Sequence, residues 1–211
     1  MKDIFKSMLL LGMFAFIGTG LLIWIAAATK QRIADNERIT LLEQLNEIVP
    51  QDQYNNDLVN DVIEIPATPM LGGKKPLIVY RARRDGSAVA AILTVIAPDG
   101  YSGAIHLLVG IYANGELAGV RAIKHKETPG LGDKVDAKRS DWILGFTGKS
   151  LNHPQSGLWS VKKDGGVFDS FTGATITPRA VVKAVHKTLI FFAQDKQNLF
   201  TTEPTIAKAG E

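Results

Sequence analysis

The 211-residue chain contains no cysteine. That absence excludes cysteine-ligated iron–sulfur clusters, cysteine-ligated zinc, thiol catalysis and a thioether-linked haem or flavin on this chain. It permits an oxidising compartment without requiring one. A strong charge of one sign is also missing. The 24 basic and 21 acidic residues leave a formal charge of +3, with no basic stripe, so nucleic acid is not an expected partner. The four histidines, His106, His125, His153 and His186, show no metal-ligand spacing, and no metal site is expected. His106, in a strand, and His186, on a helix, read as structural. The chain has no Gly-x-Ser-x-Gly elbow, no P-loop and no Gly-x-Gly-x-x-Gly after a strand. No carboxylate pair is brought together by sequence alone. These gaps disfavour an ordinary hydrolase or nicotinamide dehydrogenase, and no catalytic residue is assigned. With 45% hydrophobic residues, 20 glycines and 9 prolines, the composition is not that of a disordered, collagen-like or disulfide-stapled chain.

Charge is absent altogether between Lys6 and Lys30. The run holds Met8-Leu9-Leu10-Leu11, Phe14, Phe16-Ile17 and Leu21-Leu22-Ile23-Trp24-Ile25. At 1.5 Å each, about 23 residues cover roughly 30 Å of hydrocarbon. Ala26-Ala27-Ala28 resembles a signal-peptide cleavage site, but the apolar run is longer than the roughly 7–15 residues of a signal peptide. The expected element is a retained transmembrane anchor over 7–29, after a short N-terminal tail, 1–6. Lys2 and Lys6 precede the span and Lys30, Arg32 and Arg38 follow it, so the basic residues do not set the orientation.

The remainder predicts an α+β fold, an antiparallel sheet with flanking helices. A juxtamembrane helix and linker occupy 30–75. Ile33, Leu41, Leu42, Leu45, Ile48 and Val49 recur at helical spacing, with Pro50 after the end. That helix either packs on the domain or leads the chain away from the bilayer. Val62–Ile65 is a short strand candidate. Leu77–Ala82, Ala88–Ala97, Ala104–Tyr112 and Leu117–Lys124 alternate as strands, punctuated by Asp85-Gly86, Pro98-Asp99-Gly100 and Asn114-Gly115. They predict a meander. Val135–Phe146 reads as helical, with Trp142 and Phe146 four apart, and Val167-Phe168 as a short strand. Pro178 opens a strong helix, with Thr177 as the expected N-cap. The main domain is expected over 76–200, and 201–211 as a disordered tail.

One segment stands apart: Asp169-Ser170-Phe171-Thr172-Gly173-Ala174-Thr175-Ile176-Thr177-Pro178. Small and hydroxyl residues cluster before a helix whose free N–H groups and dipole favour an anion. Physics alone leaves two readings, a bound phosphate or a capped helix behind a polar turn.

Asp169-x-x-Thr172-Gly173-Ala174-Thr175 resembles the Asp-x-x-(Ser/Thr)-Gly-Ala-Thr flavinylation motif. Gly100-Tyr101-Ser102-Gly103, Val109-Gly110-Ile111, Gly119-Val120 and His125-x-Glu127-Thr128-Pro129-Gly130-Leu131-Gly132 extend the likeness. Together with the anchor, they are similar to the FMN-binding domain of the G subunit of the Rnf (Rsx) electron transport complex. The C subunit of the sodium-pumping NADH:quinone reductase also resembles the chain, though it is usually longer. The resemblance implies FMN attached through its phosphate to Thr175 by a flavin transferase. It implies contacts from Asp169, Ser170, Thr172, Gly173, Ala174, Glu127, Thr128, Pro129, Gly130, Leu131 and Gly132. Asp169 orients the loop, meets the transferase or only stabilises a turn. The 127–132 loop is a ring wall or a plain connection. Trp142 and Trp159 pack near the ring or in the core. Lys124, Lys126, Lys134, Lys138 and Arg139 form a partner-facing surface or a solvated one.

The implied function is a flavoprotein subunit relaying electrons in an ion-translocating ferredoxin/NAD complex. Its partners would be the other Rnf/Rsx subunits and the lipid bilayer. It would lie in the bacterial inner membrane, with its soluble domain on the periplasmic side. The alternatives are the quinone-reductase subunit and a cofactor-free structural module.

Overall fold

Asp85 and Gly86 both take positive φ, 52° and 78°, the requirement of a two-residue hairpin turn that matches strand twist. They join the strands β2 (Leu77–Arg84) and β3 (Ser87–Ala97), whose register closes at Arg84 opposite Ser87. The other strands are β1 (Val62–Ile65), β4 (Ile105–Tyr112) and β5 (Leu117–Lys124). All five pair antiparallel in chain order. The expected meander and its α+β class are borne out. The computed structural model describes residues 2–205; the end of the expected tail, 206–211, lies outside them.

Both faces of this sheet are covered. One row runs Ile63, Val79, Leu93, Val109, Val120 across the strands. It lies in the main hydrophobic core, against the helix α2 (Ile176–Thr201), which packs on β3 and β4. The alternate row is Val62, Tyr80, Ile92, Gly110, Gly119, which the strand pleat turns to the other side. Leu45, Ile48, Val49, Tyr54 and Leu58 are buried outside the main core. A Cβ on Gly110 would strike Ile48 Cγ2. The glycine pair therefore makes the seat in which Ile48 rests. Arg121 locks that seat, its Nε 2.9 Å from Glu47 Oε2 and its Nη2 donating to the Glu47 carbonyl at 3.0 Å.

The chain divides into two compact units, 1–41 and 42–211. The described residues of the first lie within the helix α1 (Lys2–Asn46), whose apolar side chains such as Phe16 and Trp24 are exposed. It is the one helix among the described residues long and apolar enough to cross a membrane.

Between β5 and α2 the chain makes short 3₁₀ turns rather than the helix expected over Val135–Phe146. They cover Gly132–Val135 and Asp141–Phe146, separated by a polar stretch, and the second is capped by Ser140 Oγ, which accepts from the Trp142 N–H. Val167-Phe168 contributes one bridge, Phe168 to Val161, rather than a strand. The connection is held by aromatic packing. Phe146 stacks on Phe168 at 4.7 Å and meets Trp142 edge-on at 5.4 Å; Trp142 meets Phe171 at 4.9 Å. Such pairs add about 0.5–1.5 kcal/mol each beyond burial. At the far end of α2, Arg81 Nη1 donates to the Thr202 carbonyl at 2.5 Å and Arg83 Nη2 to Phe200 at 2.7 Å. Asp61 pairs with both guanidinium groups. Beyond the helix, the Thr205 N–H donates to the Val62 carbonyl at 2.8 Å.

Candidate cofactor site

Helix α2 starts two residues before the sequence signals. Thr175 is its N-cap, which makes Thr177 the second helical residue and Pro178 the third. Proline is harmless there, because first-turn N–H groups lack intrahelical partners. The Thr177 hydroxyl is not a cap; it donates to Glu127 Oε2. The Thr175 hydroxyl makes no capping bond, and no acid stands in the first turn of α2. The backbone N–H groups of Ile176 and Thr177 sit at the positive end of the dipole.

Three segments meet there around a cavity of about 330 Å³, within the range of roughly 300–1,000 Å³ usual for ligand sites. The β3–β4 turn supplies Tyr101; the loop after β5 supplies Glu127, Thr128, Leu131 and Gly132; the start of α2 supplies Gly173, Ala174, Thr175, Ile176 and Thr177. Glu127 joins all three. It is 5% exposed. Its Oε1 accepts the Ser102 N–H at 2.9 Å while its Oε2 takes the Thr177 hydroxyl. A Cβ on Gly132 would stand 2.6 Å from Glu127 Oε2 and 2.9 Å from Thr177 Oγ1, and one on Gly100 would stand 3.1 Å from Glu127 Oε1. The two glycines make room for the buried carboxylate.

The loop is folded by its own backbone. The Thr128 carbonyl accepts the N–H groups of Leu131, Gly132 and Asp133, while Gly130 (φ 78°) makes the turn. Gly173 (φ 79°) turns the chain within the Phe171–Ala174 bridge. Lys183 Nζ, 2.7 Å from Asp99 Oδ2, ties the β3–β4 turn to α2. Its hydrogen bond and charge hold the Asp99 carboxyl below the usual range.

Of the residues read from sequence, Glu127, Thr128, Leu131, Gly132, Gly173, Ala174 and Thr175 line the cavity. Pro129 and Gly130 shape the loop without lining it. Asp169 points elsewhere: its carboxylate pairs with Lys162 at 2.7 Å, and its carbonyl accepts from Trp142 Nε1 at 2.9 Å. Ser170 Oγ is buried without a hydrogen-bond partner, and Thr172 is exposed. Trp142 and Trp159 belong to the aromatic cluster, where Trp159 also stacks on His186 at 5.3 Å. Burial lowers the pKa of that histidine. Among the basic residues, Arg139 lies 3.9 Å from Asp133, and Lys124, Lys126 and Lys138 are exposed. No cluster of metal-ligating groups occurs among the described residues. Tyr101, Ile176 and Thr177 also line the cavity; the sequence motifs contain all three, but none was expected to contact the cofactor. The available signal was an aromatic residue inside Gly100–Gly103 at a hairpin tip.

An unspent hydroxyl at an uncompensated helix N-terminus, opening on a mainly apolar cavity, fits a phosphate-bearing cofactor. The chain is thus of the class of cofactor-binding α+β domains that follow a single membrane-type helix. Comparison with known proteins narrows the class. Residues 100–190 match the FMN-binding domain family, and residues 1–48 match the RnfG N-terminal region. The G subunit of the ion-translocating oxidoreductase complex of Pseudomonas aeruginosa strain UCBPP-PA14 is 47% identical over 202 residues, covering 96% of this chain and 94% of that protein. The corresponding G subunit of Pseudoalteromonas atlantica is 46% identical over 202 residues, 95% and 94% of the two chains. That of Vibrio cholerae is 45% identical over 194 residues, 92% of each. The chain belongs to the family of ion-translocating oxidoreductase complex G subunits, and its domain is of the FMN-binding type.

Proposed function

We propose that this chain is the FMN-carrying subunit of an ion-translocating electron transport complex working between ferredoxin and NAD, and that the FMN phosphate is esterified to Thr175 Oγ. The observation that carries the reading is the free hydroxyl of an N-cap residue on the cavity wall. Bound there, FMN supplies a ring that takes and gives electrons singly. The protein's own part is binding and positioning. The Thr175 oxygen holds the phosphate, while the N–H groups of Ile176 and Thr177 complement its charge. Gly173 and Ala174 present no bulk, which leaves the backbone open to a flavin transferase during maturation. Glu127 holds the turn and the loop against the helix, and Leu131 and Ile176 exclude water from the mouth. A relay outside the cytoplasm cannot recover a lost cofactor, so a covalent tether suits a domain on the periplasmic side, anchored through 7–29 in the inner membrane. Electrons pass between neighbouring subunits, and this chain turns over no substrate alone.

Mass spectrometry of protein co-produced with a flavin transferase tests the reading. The Thr175-containing peptide gains the mass of FMN less water. Thr175→Ala abolishes the gain, and Thr175→Ser, which keeps a hydroxyl, retains it. A bare peptide from active complex would overturn the assignment.

A further inference from the structure

We infer that Tyr101 is the aromatic wall against which the isoalloxazine ring of the tethered flavin lies, an inference that rests on the FMN reading above. Three side chains at the cavity leave large apolar surface without a protein partner: Tyr101 is 68% exposed, Ile176 45% and Leu131 41%. They come from the three different segments that Glu127 ties together. An exposed aromatic residue at a hairpin tip is ordinarily free to swing. Here its backbone is not. The Ser102 N–H is fixed on a buried carboxylate at 2.9 Å, and Asp99 is fixed on Lys183 of α2 at 2.7 Å. The turn is therefore pinned on both sides of Tyr101, while the ring itself stays uncovered at the cavity.

A flavin held through its phosphate at Thr175 leaves its ring to find a surface within the same cavity. The carboxylate of the wall is already in use: Glu127 Oε1 and Oε2 both accept hydrogen bonds within the protein. The same lining offers the exposed phenol of Tyr101 and the apolar side chains of Leu131 and Ile176. An aromatic face against a flat conjugated ring favours offset stacking. Tyr101 is thus a positioning residue for the ring, distinct from the attachment residue.

The test uses the full chain in detergent, loaded by a flavin transferase, with FMN stoichiometry on Thr175 measured first. Flavin emission lifetime and quenching by iodide are then read. A phenol in contact shortens isoalloxazine emission, and a covered ring resists iodide. Tyr101→Ala lengthens the lifetime and raises iodide quenching, with the docked-to-free ratio of the ring falling about 2- to 10-fold. Tyr101→Phe lengthens the lifetime yet keeps the iodide protection. Equal lifetimes and equal iodide quenching in wild type and Tyr101→Ala, each fully loaded, would overturn the inference and leave the Thr175 assignment standing. No FMN on wild-type Thr175 would remove both.

Discussion

Replacing Gly132 by alanine introduces one methyl group against the buried Glu127 carboxylate. Its Cβ would lie 2.6 Å from Glu127 Oε2, 2.9 Å from Glu127 Cβ and 2.9 Å from Thr177 Oγ1. The carboxylate oxygen could swing away. The Glu127 Cβ cannot, since it moves only with its backbone. Gly132 does not have a positive φ, so the cost is steric. Overpacking of this kind costs about 1–3 kcal/mol. Displacing the carboxylate also strains its bonds to Thr177 and Ser102, and losing one hydrogen bond to a charged group adds about 1.5–3 kcal/mol. A total of about 2.5–6 kcal/mol corresponds to a melting temperature roughly 5–24 °C lower for a unit of this size.

The assay is thermal unfolding followed by tryptophan emission, with Gly145→Ala as the reference. Gly145 has no atom within 4 Å of its ideal Cβ and no positive φ. Its variant therefore unfolds close to wild type. Equal melting temperatures for Gly132→Ala and Gly145→Ala would refute the claim that Glu127 is fixed between the two loops. A further readout separates the site from the fold. At a temperature where Gly132→Ala remains folded, its flavin loading falls below that of Gly145→Ala, because the start of α2 has moved.

The same reasoning reaches two other places. Gly110→Ala pushes a methyl into Ile48 Cγ2 and costs about 1–3 kcal/mol; in the Ile48→Ala background most of that cost disappears, and additive urea midpoints in the double-mutant cycle would contradict the seat described above. His186 is held below its ordinary pKa by burial, so the folded protein resists a proton that the unfolded chain accepts near pH 6.5. Stability is complete above that value and falls as pH drops toward the folded pKa. His186→Phe keeps a ring on Trp159 and flattens this part of the urea midpoint against pH; an unchanged slope would dismiss the histidine as its source.

Much of the fold was legible because its signals are local. Asp85-Gly86 and Asn114-Gly115 announce turns by residue type, and the strands between them alternate. The period of α2 was equally plain. Its start was not. Thr177-Pro178 has the look of a cap and first helical residue, but the Thr177 hydroxyl serves Glu127, fifty residues earlier in the chain. No sequence window contains that bond. The helix read over Val135–Phe146 failed for a related reason: its apolar residues are spaced for a helix, yet their burial is set by Phe168, Phe171 and Trp159, which arrive from later in the chain. The cavity residues in the two motif loops were legible as chemistry, whereas Tyr101 needed the fold. Nothing local distinguishes a tyrosine at a hairpin tip beside solvent from one beside a ligand.

The two ends of α2 show how the fold prepares its site. The negative end is answered within the protein: Leu199, Phe200 and Thr202 carbonyls accept from Arg81 and Arg83. Arg81 is fully buried, and burying a guanidinium with its Asp61 partner is a poor way to gain stability. Its effect is geometric, because it fixes the C-terminal turn of α2 on β2 at one register. With that end fixed and the helix rigid, Thr175 arrives beside the β3–β4 turn and the 127–132 loop rather than a turn short of them. The positive end is left with an open hydroxyl, two unpartnered N–H groups by helix geometry, and no first-turn acid. The carboxylate that reaches it, Glu127, is engaged by Ser102 and Thr177. A helix neutralised at one terminus and left open at the other favours an anion there by about 0.3–2 kcal/mol. That is too little to retain a cofactor by itself, and enough to orient a phosphate that a covalent bond already holds.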